Sequence, residues 1–323
     1  MSVTVTSDLP ELSSLGRELS LDEGAFGFLE TSNELLEDPA ALGRRLEAEG
    51  YLYIKRFLDR ERVLAARRSL LQKLAADDLL DPERDLMEGA VDPRHLAPGG
   101  PGGFRKAKTK AFRPDIAKAN AEVERVVYGP ELLGFFDRLF GEPSRHFDYT
   151  WLRVIGPGQG TPPHCDWVYM GRGSSRLLTC WTPYGDVPLE VGGLMILERS
   201  HLKADRIRTY LSKDVDAYCE HRPEQVERVM EKGGWSFPGW LSKRPDTLPK
   251  TLGGRWLTSP RWEVGDFLVF DMRLVHASLD NRSDRIRLST DTRYQPASHP
   301  ADERWVGPNP PGHGLAGKRG RIC

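Results

Sequence analysis

After Pro143 the chain is cut into short apolar runs by clusters of glycine and proline, and this punctuation constrains the fold more than any other feature. His146 to Ile155, Leu177 to Thr182, Gly193 to Leu197, Asp266 to Phe270 and Ile286 to Tyr294 read as strands. The turn cluster Gly156-Pro-Gly-Gln-Gly-Thr-Pro-Pro163 follows the first of them. Short strands between such turns predict an antiparallel sandwich or barrel. Between the third and fourth strands lies an insertion at about 203–262. It carries an expected helix from Asp214 to Lys232 and the aromatic loop Trp235-Ser-Phe-Pro-Gly-Trp240. No internal repeat is present.

Upstream the periodicity changes. Ala41, Leu42 and Leu46 recur at helical spacing, and Gly50 to Phe57 reads as a strand. Asp59 is placed to cap a helix bearing Val63, Leu64, Leu70, Leu71 and Leu74. Residues 80–113 are rich in proline, glycine and charge, a loop of the length that is mobile or functional. Two more helices are expected around 115–127 and 130–140. The fold class is therefore mainly β with helical additions (α+β). Residues 1–35 are expected as an irregular arm and 36–300 as a single domain, helical over 36–142 and a β core over 143–300. Residues 301–323 are expected as a C-terminal tail.

The 46 Lys and Arg balance 47 Asp and Glu, and both signs are spread along the chain. That distribution lacks the one-sided basic field of a nucleic-acid binder. No basic segment leading into an apolar run opens the chain, and no stretch has the length of a membrane span. The four cysteines, Cys165, Cys180, Cys219 and Cys323, form no C-x-x-C and no paired spacing, which predicts free thiols, no zinc knuckle and a cytoplasmic location. A small-molecule substrate is expected, without nucleic acid or membrane; oligomeric state is not encoded in any pattern found.

Within Pro163-His164-Cys165-Asp166-Trp167, alternate residues of a strand would put His164 and Asp166 on one face. A third ligand is expected from His276, at the end of the apolar run Asp271-Met-Arg-Leu-Val-His276. Two imidazoles and one carboxylate on one face of an ion are the facial triad of Fe(II) oxygenases, with three positions left for co-substrate and O₂. H-x-D alone is a weak motif, and His146-Phe-Asp148 has the same form. The copy at 164 is preferred because a Gly/Pro turn places it at the mouth of the core, whereas His146 lies among packing residues. Eleven residues beyond His276, Arg287 shares a strand face with Ser289. A buried guanidinium needs an anion, and its planar fork matches a carboxylate such as the distal one of 2-oxoglutarate. A structural acid would serve equally, and Arg285 and Arg293 are competitors on the same strand.

Four segments carry a family resemblance: Pro162-Pro-His-Cys-Asp166; Cys180-Trp181-Thr-Pro; Gly192-Gly-Leu-Met-Ile-Leu-Glu-Arg-Ser-His201; and the run from His276 through Arg287 to Ser289. Together, in element order from about residue 40 to 300, they resemble the phytanoyl-CoA dioxygenase family. The resemblance implies a double-stranded β-helix (jelly roll, cupin-like) using Fe(II) and 2-oxoglutarate. It implies His164, Asp166 and His276 as iron ligands and Arg287 as the holder of the 2-oxoglutarate carboxylate. Ser278 and Trp181 would contact the same co-substrate, and His201 would serve the fold. Related halogenases replace the carboxylate ligand by a small residue; Asp166 is retained, which favours hydroxylation. The expected reaction converts 2-oxoglutarate and O₂ to succinate and CO₂ while an unactivated C–H is oxidised. Desaturation, epimerisation or cyclisation on the same scaffold, and an inactive binding module, are the alternatives. Trp167, Tyr169, Met170, Trp235, Phe237 and Trp240 are the candidates for a substrate pocket, with core packing as the alternative for each.

Overall fold

The computed structural model describes residues 9–97, 106–218 and 237–320. The chain opens with a hairpin, β1 (Ser13–Ser14) and β2 (Arg17–Glu18), and then β3 (Phe26–Phe28). Next come α1 (Pro39–Glu49), β4 (Tyr51–Ile54) and α2 (Arg60–Ala76), the pair β5 (Leu96–Ala97) and β6 (Lys106–Ala107), and the helices α3 (Pro114–Ala117), α4 (Ala121–Val127) and α5 (Pro130–Phe140). The β-rich half begins with β7 (Ser144–His146), β8 (Trp151–Ile155), α6 (Trp167–Met170), β9 (Leu178–Pro183), β10 (Val187–Pro188) and β11 (Leu194–Leu197). It continues through α7 (Arg208–Leu211), β12 (Ala217–Tyr218), α8 (Leu248–Leu252), β13 (Trp256–Thr258) and β14 (Arg261–Trp262). It closes with β15 (Phe267–Asp271), β16 (His276–Ser278), β17 (Arg287–Pro296) and β18 (Arg319–Gly320).

Two sheets face each other. The larger has the order β4-β15-β9-β17-β7, with β8 also paired to β17; the smaller is β16-β11-β13-β3. Period-two alternation assigns each side chain to a layer. Leu52, Ile54, Cys180, Phe267, Val269, Leu288 and Tyr294 turn outward against α2, α4 and α5. Tyr51, Tyr53, Trp181, Leu268 and Phe270 turn inward and meet Leu194, Ile196 and Leu257 of the smaller sheet. The helices therefore cover one face of a two-sheet jelly roll, the arrangement expected for a sheet that must bury both faces.

The predicted cap at Asp59 forms, accepting from the Arg62 amide at 2.8 Å, and Asp38 caps α1 in the same way, accepting from the Ala41 amide at 2.9 Å. Each satisfies a backbone donor that the first helical turn leaves open.

Several local expectations need correction. The run from 146 to 155 is two strands, β7 and β8, because residues 147–150 leave the sheet. Residues 9–35 are not an irregular arm: β1 and β2 pair, and β3 adds parallel to β13. Asp214 to Tyr218 form a turn and a short strand instead of the start of a helix; the rest of that expected helix, and Trp235, lie outside the described residues. The C-terminal stretch packs back on the core, with β18 parallel to β12 and Trp305 fully buried. Among the described residues, no helix is long and apolar enough to cross a membrane.

Candidate metal centre and substrate cavity

His164 and His276 are brought together by backbone pairing. Each amide donates to the other's carbonyl, at 3.0 and 2.9 Å, forming an isolated antiparallel bridge at the end of β16. Asp166 does not continue this as a strand. Its backbone is helical (φ −67°, ψ −22°), and its carbonyl accepts from the Tyr169 and Met170 amides as α6 begins. The shared face of His164 and Asp166 is thus made by a turn, and the strand expectation there is corrected. The three ligand atoms lie within 4.8 Å of one another, and all three residues are buried.

The protonation pattern suits a cation. His164 Nδ1 donates to the Pro162 carbonyl at 2.8 Å and His276 Nδ1 to the Leu274 carbonyl at 3.0 Å. A carbonyl can only accept, so both Nδ1 atoms carry a proton, which leaves Nε2 as the ligand atom each ring presents. These Nε2 atoms stand 3.7 and 3.8 Å from Asp166 Oδ1, too far for hydrogen bonds. Burial, reinforced by the neighbouring His276, lowers the His164 pKa to about 3, so its imidazole is neutral at pH 7. Burial would raise the pKa of Asp166, but the guanidinium of Arg293, then His276 and His164, with the donor on Thr179, outweigh it and hold the carboxyl well below its ordinary range. Thr179 Oγ1 donates to Asp166 Oδ2 at 2.5 Å and Arg293 Nη2 to the same oxygen at 2.8 Å, which leaves Oδ1 toward the imidazoles. Thr179 and Arg293 are register partners on β9 and β17. The donor set fits a divalent first-row metal.

Arg287 is 2% exposed. Its Nη1 donates to the Gly192 carbonyl at 2.6 Å, Nε has no partner, and among the described residues no carboxylate lies within salt-bridge distance. Burial pulls its pKa down to about 10, so it stays a cation at pH 7. The structural-acid alternative thus has no acid to offer, and an arriving carboxylate would fill the gap. Trp181 lies beside it, 5.9 Å from guanidinium to ring, and is wedged against Trp262. Ser278 is buried opposite Leu194, two residues beyond Gly192, and its Oγ accepts from the Thr161 amide. Gly192 and Leu194 thus hold Arg287 and Ser278 near one another, with Trp181 beside the guanidinium. His201 packs against Gly50 and bonds to the Glu47 carbonyl, a fold contact as expected. The other H-x-D is also structural: His146 stacks on Tyr128, and Asp148 accepts from the Gly307 amide.

A cavity of about 220 Å³ opens over His164 and Asp166. Tyr169, Met170 and Trp240 line it, as expected. Trp167 instead stacks under Arg273, and Phe237 packs on Tyr210. Sequence reasoning missed Phe112, Trp151, Arg153 and His313, and treated Arg293 only as a rival to Arg287. Arg293 could have been found from its parity: 287, 289, 291 and 293 share one face of β17. His313 had no such signal. It is set at the cavity by Asp216, which accepts from His313 Nδ1 at 2.7 Å, Arg304 Nη1 at 2.6 Å and Lys318 Nζ at 3.0 Å.

A double-sheeted jelly roll with two imidazoles and a carboxylate at its mouth defines the class of non-haem iron oxygenases. The chain belongs to the phytanoyl-CoA dioxygenase family, whose model matches residues 46–289, and is a 2-oxoglutarate-dependent non-haem iron dioxygenase. It is similar to 1-deoxypentalenic acid 11-beta-hydroxylase of Streptomyces exfoliatus, 27% identical over 274 residues, covering 82% of this chain and 83% of that one. The corresponding hydroxylase of Streptomyces arenae is 27% identical over 277 residues, with 82% of this chain and 83% of that one covered. Among solved structures, the non-haem alpha-ketoglutarate-dependent carbocyclase SnoK aligns with a TM-score of 0.55 at 20% identity, covering 89% of this chain and 93% of that one. The epimerase SnoN, in complex with Fe3+, alpha-ketoglutarate and nogalamycin RO, aligns at 0.51 and 21% identity, covering 86% and 89%.

Proposed function

We propose that the protein hydroxylates an unactivated C–H bond of a small organic molecule, with His164, Asp166 and His276 holding Fe(II). In this reading Arg287 binds the distal carboxylate of 2-oxoglutarate, and Ser278 and Trp181 complete that subsite. The observation that carries it is the convergence of two Nδ1-committed imidazoles and one oriented carboxylate, two of which, His164 and Asp166, line a cavity. Iron(II) with 2-oxoglutarate and O₂ supplies an oxidant strong enough for such a bond, with succinate and CO₂ as co-products. The chain's own residues supply the rest. Thr179 and Arg293 occupy Asp166 Oδ2, so Oδ1 would be the oxygen offered to the ion, and the two backbone carbonyls hold the imidazoles. Trp181, packed against Trp262, keeps water from Arg287, which strengthens its pairing with a carboxylate. The aromatic walls around Tyr169 and Trp240 position an apolar substrate over the ligands. Hydroxylation, desaturation, epimerisation and cyclisation would each begin from oxidation of that C–H bond and are separated by product analysis.

Anaerobic addition of Fe(II) and 2-oxoglutarate tests the reading. A weak visible charge-transfer band is expected in the wild type and absent in His276→Ala. If the wild type binds no 2-oxoglutarate in an iron-dependent way, the proposal fails. Succinate release across a panel of small organic substrates then identifies what is oxidised.

A further inference from the structure

We infer that Arg153 anchors a carboxylate on the substrate, so that the protein acts on an apolar organic acid; this rests on reading the cavity over the metal ligands as the substrate chamber. Arg153 stands on β8 in register with Ser289. Its Nε donates to Asp291 Oδ2 at 2.8 Å, and the ring of Phe112 covers the guanidinium, 5.4 Å from its carbon. That tie fixes the plane of the fork. Among the described residues, its two terminal nitrogens carry no hydrogen bond, although the side chain lines the cavity beside His164 and Asp166 and is 24% exposed. A planar edge of two donors held still at a cavity wall is the geometry that takes a carboxylate through two parallel bonds.

Charge points the same way. Three guanidiniums, of Arg153, Arg287 and Arg293, face the interior against two carboxylates, Asp166 and Asp291. Fe(II) adds two positive charges and 2-oxoglutarate removes two. One positive charge is left at the cavity, and a monoanionic substrate neutralises it. The remaining walls, Phe112, Trp151, Met170 and Trp240, are apolar or aromatic and suit the body of such an acid. The nearby cluster of Asp214, Asp216 and Asp302 with Arg172, Arg304 and Lys318 balances itself and does not supply the counter-charge.

The experiment is calorimetric titration of the full chain, loaded with Co(II) and 2-oxoglutarate, using cyclohexanecarboxylate and 1-naphthoate and their neutral primary amides as probes. The acids are expected to bind tighter than the amides by roughly tenfold or more, the scale of a charge-assisted bidentate pair. R153Q should remove that preference, and R153K should keep part of it through a point charge. Both variants should keep the 2-oxoglutarate affinity and the Fe(II)–2-oxoglutarate charge-transfer band. Equal binding of acid and amide by the wild type, no detectable binding of either acid, or an undiminished preference in R153Q would overturn the inference. Loss of 2-oxoglutarate binding in folded R153Q and R153K would also overturn it, by assigning Arg153 to the co-substrate. If the wild type itself fails to bind 2-oxoglutarate with iron, the proposed function is what fails.

Discussion

At the scale of single residues, the metal centre depends on how each ligand is oriented as well as on its identity. Asp166 can offer one oxygen to an ion because Thr179 and Arg293 occupy the other. Thr179→Val removes one of these donors while conserving shape. It should weaken Fe(II) binding about 10- to 100-fold, the usual cost of losing an outer partner of a metal ligand, as read by anaerobic metal titration. Arg287 answers to a different measurement. Arg287→Lys keeps the charge but loses the fork, so the KM for 2-oxoglutarate should rise by roughly tenfold or more while Fe(II) affinity stays unchanged. Equal loss of both affinities would mean that the residue supports the fold instead of the co-substrate.

At the scale of elements, the turn before β11 does two jobs. Gly192 has φ +79°, and a Cβ there would sit 2.7 Å from the carbonyl oxygens of Leu279 and Asp280. Its own carbonyl accepts from Arg287. Gly192→Ala should therefore cost about 2–4 kcal/mol in urea unfolding, combining a left-handed backbone with a backbone clash. It should also weaken 2-oxoglutarate binding, since relief of the clash displaces the carbonyl that holds the guanidinium. The strand pattern, the cap at Asp59 and the inward face of Arg287 and Ser289 were legible in the sequence because they follow from local periodicity and local hydrogen bonding. The break between β7 and β8 and the turn at Asp166 were not. Both sit where long-range contacts override strand propensity: Phe147 is buried in a satellite cluster with Trp305, and the Trp167 amide is held by the Met272 carbonyl.

At the scale of the whole molecule, the C-terminal stretch is part of the site. Asp216 gathers Arg304, His313 and Lys318 from beyond residue 300, and this puts His313 on the cavity wall. Asp216→Ala leaves the buried Lys318 without its carboxylate, while Arg304 keeps Asp302, and should destabilise the fold by about 3 kcal/mol. The cluster also sets an acid limit. Burial opposes ionisation of Asp216, but the bonds from His313 and Lys318 and the charge of Arg304 prevail, and its pKa falls to about 2. Between that value and the ordinary carboxylate pKa near 4, the unfolded chain binds more protons than the folded one. The stabilisation is therefore complete above about pH 4 and is lost as pH falls toward 2. Acid titration of unfolding free energy should show this loss in the wild type and a shallower one in Asp216→Asn.

The sequence by itself determined the chemistry. His164 and Asp166 are close in the chain, as are His276 and Arg287, and each pair is joined by local strand and turn rules, while the bridge between His164 and His276 joins the two pairs. The identity of the donors follows from the amino acids alone, since only imidazole and carboxylate suit the ion and only guanidinium offers a fork. Which oxygen of Asp166 is left toward the imidazoles, which arginine pairs with a carboxylate and which lacks one, and how His313 reaches the cavity were decided by tertiary structure. Each of these depends on partners 13 to 127 residues away in sequence, such as Thr179 and Arg293 on Asp166, and contacts of that range leave no periodic trace in the chain.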